Sequence, residues 1–136
     1  ISGDGEVPFL KLVKALRDKG QTDNIPGVSL KKNGNKIINP PDLQTNREYK
    51  INNLKKIPYH LVANHNNFHT IPITTSFGCP FNCSFCVMKT IQPNYYQLPI
   101  ENVVTMIEDA LAAGAKVINF IDANFLVDKN RVRKII

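Results

Sequence analysis

The sequence contains no run of about 18 consecutive apolar residues, which excludes a single-helix membrane anchor within it. It opens on Ile1 rather than Met and shows no basic-then-apolar leader, so it reads as an internal piece of a longer protein. No internal repeat and no low-complexity tract occurs. Gly3-Asp4-Gly5 lacks the further glycine that a phosphate-cradling Gly-x-Gly-x-x-Gly turn requires. Cysteine is scarce. Cys79, Cys83 and Cys86 are the only three, and they stand together, whereas a disulfide framework wants an even number spread along the chain. Clustered thiols suit a reducing, intracellular setting in which they hold metal, and this implies a cytoplasmic location.

What is present is ordinary for a globular chain: 136 residues, 43% hydrophobic and 21% charged, within the size of one domain. The net charge of +6 raises nucleic-acid binding as a reading. The lysines and arginines are nevertheless spread over the whole length, with a cluster only at Arg131, Arg133 and Lys134. Solvated helix and loop faces account for such a distribution, and an acidic partner such as RNA or a neighbouring domain stays open beside them.

Periodicity organises the chain. Phe9, Leu12, Val13 and Leu16 fall on one helical face opposite Lys11, Lys14 and Arg17, predicting a helix over about residues 7 to 19 with Gly20 at its exit. Asn33-Gly34 between the short runs 28–32 and 35–38 predicts a hairpin. Residues 39–70, with Pro40, Pro41, Pro58, many asparagines and all three histidines, read as an irregular linker. Ile71 to Ser76 is a β-rich run. Pro99 opens a helix whose apolar face is Ile100, Val103, Val104, Ile107, Ala110 and Leu111, with Gly114 at the C-terminal cap. Lys116 to Ile121 is a strand, and Asp128 caps a last helix. The order strand, loop, helix, strand, helix is a βαβα unit and predicts an α/β fold with parallel strands.

The loop after the first of those strands reads Gly78-Cys79-Pro80-Phe81-Asn82-Cys83-Ser84-Phe85-Cys86. Thiolates placed there sit at the carboxyl ends of parallel strands, where such sheets and barrels bind ligands. The C-x3-C-x2-C triplet, its Gly-Cys-Pro start and the aromatic before the last cysteine resemble the fingerprint of the radical SAM enzymes. That resemblance implies that Cys79, Cys83 and Cys86 ligate three irons of a [4Fe–4S] cluster. Ferredoxins close such clusters with four cysteines. Three leave one iron open, and an open position is where a metal site does chemistry. S-adenosylmethionine (SAM) would chelate that iron, and reduction would release a 5′-deoxyadenosyl radical able to abstract hydrogen from a substrate. Phe85 would meet the adenine. An external electron donor such as flavodoxin or ferredoxin is implied. A bland alternative is a zinc site of three cysteines and one of His60, His65 or His69, although zinc ligands usually come as two separated pairs.

The second strand ends in Phe120-Ile121-Asp122-Ala123-Asn124-Phe125, without the Gly-Gly-Glu of many radical SAM enzymes. It resembles the Asp-Asp-Asn-Phe segment of the family's cobalamin-binding branch, with Ala123 replacing the second Asp. The resemblance makes Asp122 and Asn124 candidates for contacts to SAM or to the substrate cavity; the plainer reading is that they shape the turn. Ile1 to Glu6 likewise resembles the turn that enters the last helix of a cobalamin-binding domain, with Asp4 in place of the usual Glu. Ile25-Pro26-Gly27-Val28 and the hairpin resemble the connector that follows it.

The implied organisation is the end of a cobalamin-binding, Rossmann-like domain over 1–20, a linker with hairpin over 21–70, and the first βαβα part of a radical SAM (βα) partial TIM-type barrel over 71–136. Two barrel strands cannot bury a parallel sheet on both faces, so the piece alone is expected to be poorly stable and inactive. The implied activity is methyl transfer or a radical rearrangement or cyclisation, with cobalamin bound mainly upstream. A methylthiotransferase-like enzyme modifying RNA or protein and a non-catalytic zinc module are the alternatives. The substrate and the catalytic residues stay unassigned.

Overall fold

A computed structural model describes residues 1–54, 57–62 and 68–136, without the side chain of His60. The chain divides into two units, Ile1–Lys50 and Ile51–Ile136.

In the first unit, helix α1 spans Glu6–Arg17, with Glu6 in its first turn and Lys14 and Arg17 in its last, charges that complement the helix dipole. Its exit is a double-bonded cap: Gly20 N–H reaches the Ala15 carbonyl and Lys19 N–H that of Leu16. The residue in the left-handed region there is Lys19, one position before the glycine expected to serve. The predicted apolar stripe of α1 lies open to solvent at Phe9, Val13 and Leu16, while Val7 and Pro8 are buried.

Strands β1, Ser29–Lys32, and β2, Asn35–Ile38, form the expected antiparallel hairpin, with Lys32 opposite Asn35. Both turn residues, Asn33 and Gly34, have positive φ, as a two-residue hairpin turn demands. The stretch read as an irregular linker contains helix α2, Leu43–Asn53, and a 3-10 turn at Tyr59–Leu61. Helix α2 has almost no apolar periodicity to betray it. Its start is fixed by Asp42, whose carboxylate accepts from the Thr45 N–H at 3.0 Å and the Thr45 hydroxyl at 2.5 Å. Those bonds, the hydroxyl's first, hold the Asp42 carboxyl below the usual carboxylate range. Lys50 on α2 is buried and pairs with Asp4 at 2.7 Å, with Glu6 at 3.9 Å.

In the second unit, β3, Thr70–Ile73, lies parallel to β6, Val117–Phe120, with Thr70 opposite Val117 and Ile73 opposite Phe120. Alternation along β3 turns Ile71 and Ile73 into the core. Helix α4, Ile100–Ala112, connects the two strands and packs Val103, Met106 and Ala110 on that core. The buried stripe is rotated slightly from the predicted one: Met106 joins it, and Leu111 faces solvent. Asn102 is also buried, its amide donating to the Ile51 carbonyl at 2.9 Å. After α4, Ala115 N–H bonds the Ala110 carbonyl and Gly114 N–H that of Leu111, the glycine-terminated cap expected there. Helix α5, Lys129–Ile135, begins at Asp128, whose side chain accepts from the Asn130 and Arg131 N–H groups. The parallel pairing and the α/β order agree with the expectation from sequence.

The β-rich run does not continue through Ser76 as one strand. The β3 ladder stops at Ile73, and Ser76–Phe77 forms a separate two-residue strand, β4, antiparallel to β5, Tyr96–Gln97. Stacking of the Phe77 and Tyr96 rings, centroids 5.1 Å apart, reinforces this pair. Between β4 and β5 runs the cysteine loop, followed by the single-turn helix α3, Met88–Ile91.

Candidate functional site

The cysteine loop leaves β4 at Gly78, which has φ 72°. A Cβ there would lie 2.6 Å from the Asn94 carbonyl oxygen, so only glycine lets the outgoing and returning strands approach. Farther along, the Cys86 N–H donates to the Cys83 carbonyl at 3.0 Å, closing a turn between the last two cysteines. All three cysteines are free thiols; Cys79 is half-buried, and Cys83 and Cys86 are exposed. Among the described residues, no three His, Cys, Asp or Glu side chains are gathered into one ligand set. The donors nonetheless fit a three-thiolate site: three unpaired sulfurs on one loop, two of them open to an incoming metal. Phe85 is 91% exposed and Phe81 also projects outward.

Of the histidines offered for the zinc alternative, His65 and the His60 side chain lie outside the described residues. The His69 ring is exposed beside the Thr70 hydroxyl, and its carbonyl accepts from the Lys116 and Val117 N–H groups.

Because β3 and β6 are parallel, the chain beyond each carboxyl end emerges on the same side, and there Asp122 meets the neck of the cysteine loop. One Asp122 oxygen, Oδ1, accepts from the Thr75 N–H at 3.0 Å, the Thr75 hydroxyl at 3.1 Å and the Ser76 hydroxyl at 2.6 Å, and also from the Ser76 N–H. The other, Oδ2, is buried without a hydrogen-bond partner among the described residues. Asp122 is thus brought to the base of the loop rather than to its sulfurs. Asn124 occupies the cap position before a 3-10 turn, Phe125–Val127, and its side chain makes no capping bond. Phe125 stacks on Phe120 with centroids 4.3 Å apart and planes 7° from parallel.

Sequence reasoning missed Thr75, Ser76 and Arg131. Arg131 Nη2 donates to the Leu98 carbonyl at 2.6 Å and the Thr75 carbonyl at 3.2 Å. Its only local sign was the Asp128 cap one turn earlier; the contacts themselves join residues 33 and 56 positions apart.

Residues 73–136 match the model of the radical SAM superfamily. That segment belongs to the radical SAM superfamily. The chain is 32% identical over 141 aligned positions to an uncharacterized methyltransferase of Pyrococcus horikoshii, covering 96% of this chain and 29% of that protein. A solved structure, the radical S-adenosylmethionine methyltransferase TsrM from Kitasatospora setae with tryptophan substrate and a SAM analog, is similar with TM-score 0.69 and 20% identity. It covers 99% of this chain, which spans 27% of TsrM. The present chain therefore spans less than a third of the relatives it matches. Among its described residues, no helix is long and apolar enough to cross a membrane.

Proposed function

We propose that this chain carries the SAM-cleaving loop of a cobalamin-binding radical SAM enzyme that transfers a methyl group. One observation carries the reading: three free thiols share one loop, and that loop follows β4 just beyond the carboxyl end of β3, a strand paired in parallel with β6, in a segment that matches the radical SAM superfamily. The methyltransferase names of the Pyrococcus relative and of TsrM support the transfer of a methyl group.

Cys79, Cys83 and Cys86 would hold the cluster, the turn between Cys83 and Cys86 keeping two of the sulfurs in register. A [4Fe–4S] cluster held by these three thiolates would supply the electron for reductive cleavage of the sulfonium C–S bond of SAM to methionine and a 5′-deoxyadenosyl radical, and an external flavodoxin or ferredoxin would replenish that electron. Phe85 presents an open aromatic face for the adenine. Asp122, bonded at the base of the loop, and Asn124, whose side chain makes no capping bond, are the polar groups at the neighbouring strand end assigned to SAM or substrate in this reading.

Cobalamin is assigned to a domain upstream, with residues 1–20 as its end, 21–70 as connector and 71–136 as the opening βαβα of a barrel. Asp4, two residues before α1, and Glu6, in its first turn, are engaged with Lys50. A reducing cytoplasm suits the three free thiols.

The test is anaerobic iron and sulfide reconstitution of the complete protein. Four irons per chain, an EPR signal that changes on adding SAM, and loss of both in Cys83→Ala are expected. One tightly held zinc with no EPR signal would refute the reading in favour of a zinc module.

A further inference from the structure

We propose that Arg131 is a positioning residue for the cluster loop: with Asp122 it clamps the loop's neck and so governs how firmly the three thiols hold iron. This rests on the function proposed above. The loop departs after Thr75-Ser76-Phe77 and returns through Tyr96-Gln97-Leu98, and the β4–β5 ladder joining the two stems is only two residues long on each side. So short a ladder cannot by itself hold apart or together the ends of an excursion that includes three metal ligands and α3.

The clamp supplies what the ladder lacks. Thr75, 2% exposed, is gripped on both sides of its backbone: its N–H and hydroxyl go to Asp122, and its carbonyl accepts from the Leu98 N–H at 2.9 Å and Arg131 Nη2 at 3.2 Å. The same guanidinium nitrogen donates to the Leu98 carbonyl at 2.6 Å, so one cation spans the outgoing and the returning stem. Arginine suits this place. Its charge is permanent and its planar fork offers several donors at fixed angles, whereas lysine presents one compact ammonium. The clamp is itself anchored, because the Arg131 N–H is held by Asp128 at 3.0 Å at the start of α5. Cys79 follows Thr75 by four positions, with the glycine-dependent turn at Gly78 between them. Any drift of the neck therefore displaces Cys79 relative to the Cys83–Cys86 turn, and a cluster with three protein ligands tolerates little such drift.

The complete protein, loaded anaerobically with iron and sulfide, is compared with Arg131→Met, Arg131→Lys and the exposed control Arg133→Met. Two quantities are read: the rate at which a chelator strips iron, and deuterium uptake by the neck segments 74–78 and 95–99 in the metal-free protein. Loss of charge-assisted bonds of this kind predicts that Arg131→Met accelerates both by about tenfold. Arg131→Lys should fall between, and Arg133→Met should match the parent. Equal rates in Arg131→Met and Arg133→Met would overturn the proposal. Should Arg131→Met not fold, Arg131→Lys decides: parent-like stripping and exchange refute the clamp, and acceleration of both supports it. A parent that takes up no cluster would overturn the proposed function and this role together. A parent that holds its cluster beside an unaffected Arg131→Met overturns only the clamp.

Discussion

Thr75 gives both its backbone N–H and its hydroxyl to a single oxygen of Asp122, a residue 47 positions later in the chain. The bond crosses from the end of one parallel strand to the end of the other, so two loops that the topology merely places side by side are tied together. A carboxylate is suited to this because it accepts several N–H and O–H donors at once without needing a donor in return. The arrangement also explains why β3 stops at Ile73: the backbone donors of Thr75 and Ser76 are turned to Asp122 instead of to a neighbouring strand.

Removing that acceptor should be costly. Asp122→Ala leaves the N–H groups of two buried residues, Thr75 and Ser76, without their acceptor. Buried donors left unmade cost about 1–3 kcal/mol each, so a loss of about 2–6 kcal/mol of stability is expected. Asp122→Asn, which retains a carbonyl oxygen, should lose less than half of that. Thermal unfolding of the complete protein measures both, and equal losses in the two variants would contradict this account.

Gly78→Ala is expected to damage the loop through the backbone alone. The left-handed φ and the 2.6 Å approach to the Asn94 carbonyl oxygen leave no room for a methyl group. The strain amounts to about 1–3 kcal/mol. It should appear as reduced iron uptake at unchanged cysteine count. An alanine variant that binds iron like the parent would show that the stems can part without harm.

Legibility in the sequence followed the range of each interaction. The hairpin at Asn33-Gly34, the cap at Asp128 and the helix from Pro99 were readable because their causes lie within four residues of their effects. Helix α2 was missed because it is polar on all sides, and its one strong signal, Asp42 three residues before Thr45, was masked by the adjacent prolines. The spacing of the cysteines was enough to propose them as a metal-binding set, but it carried no sign of the residues bonded at the neck of their loop. Arg131 acts on two carbonyl groups, which any residue can supply, so nothing in the side chains at Thr75 and Leu98 announces the contact.

Acid should release the start of α2. The Asp42 carboxyl is held low by Thr45, so its capping contribution is complete above the ordinary carboxylate range and is lost as pH falls through the depressed folded value. In an NMR titration, the Thr45 amide should move at a pH below that of an exposed aspartate, and Asp42→Ala should abolish the movement. A Thr45 amide that titrates with the exposed carboxylates would count against the cap.

Alkali should act on the second unit through Tyr59. Burial first, and Asp109 second, push this phenol up. A raised folded value means that its contribution is intact below pH of about 10 and is lost as pH rises through the folded value. Its hydroxyl is buried without a hydrogen-bond partner among the described residues, so Tyr59→Phe should stay within about 1 kcal/mol of the parent at neutral pH. Above the phenol's range the variant should become the more stable of the two. Denaturant midpoints at neutral and alkaline pH test this, and a parallel fall in both proteins would exclude Tyr59 as the cause.

Phe85 should separate binding from stability. A phenylalanine that is 91% exposed contributes almost nothing to a core, and surface substitutions of that kind usually change stability by no more than about 0.5 kcal/mol. Leaving so large an apolar ring in water is unfavourable unless something covers it in the working state, and in the proposed function that partner is the adenine of SAM. Stacking of a base on an aromatic side chain is worth about 1–3 kcal/mol, so Phe85→Ala should weaken SAM binding by roughly tenfold or more. Calorimetric titration of the reconstituted protein, paired with its melting temperature, reads the two effects separately. Weakened binding at an unchanged melting temperature is the expected pair of results. Unchanged binding would remove Phe85 from the SAM site, and a lowered melting temperature would mean that the ring packs on the protein instead.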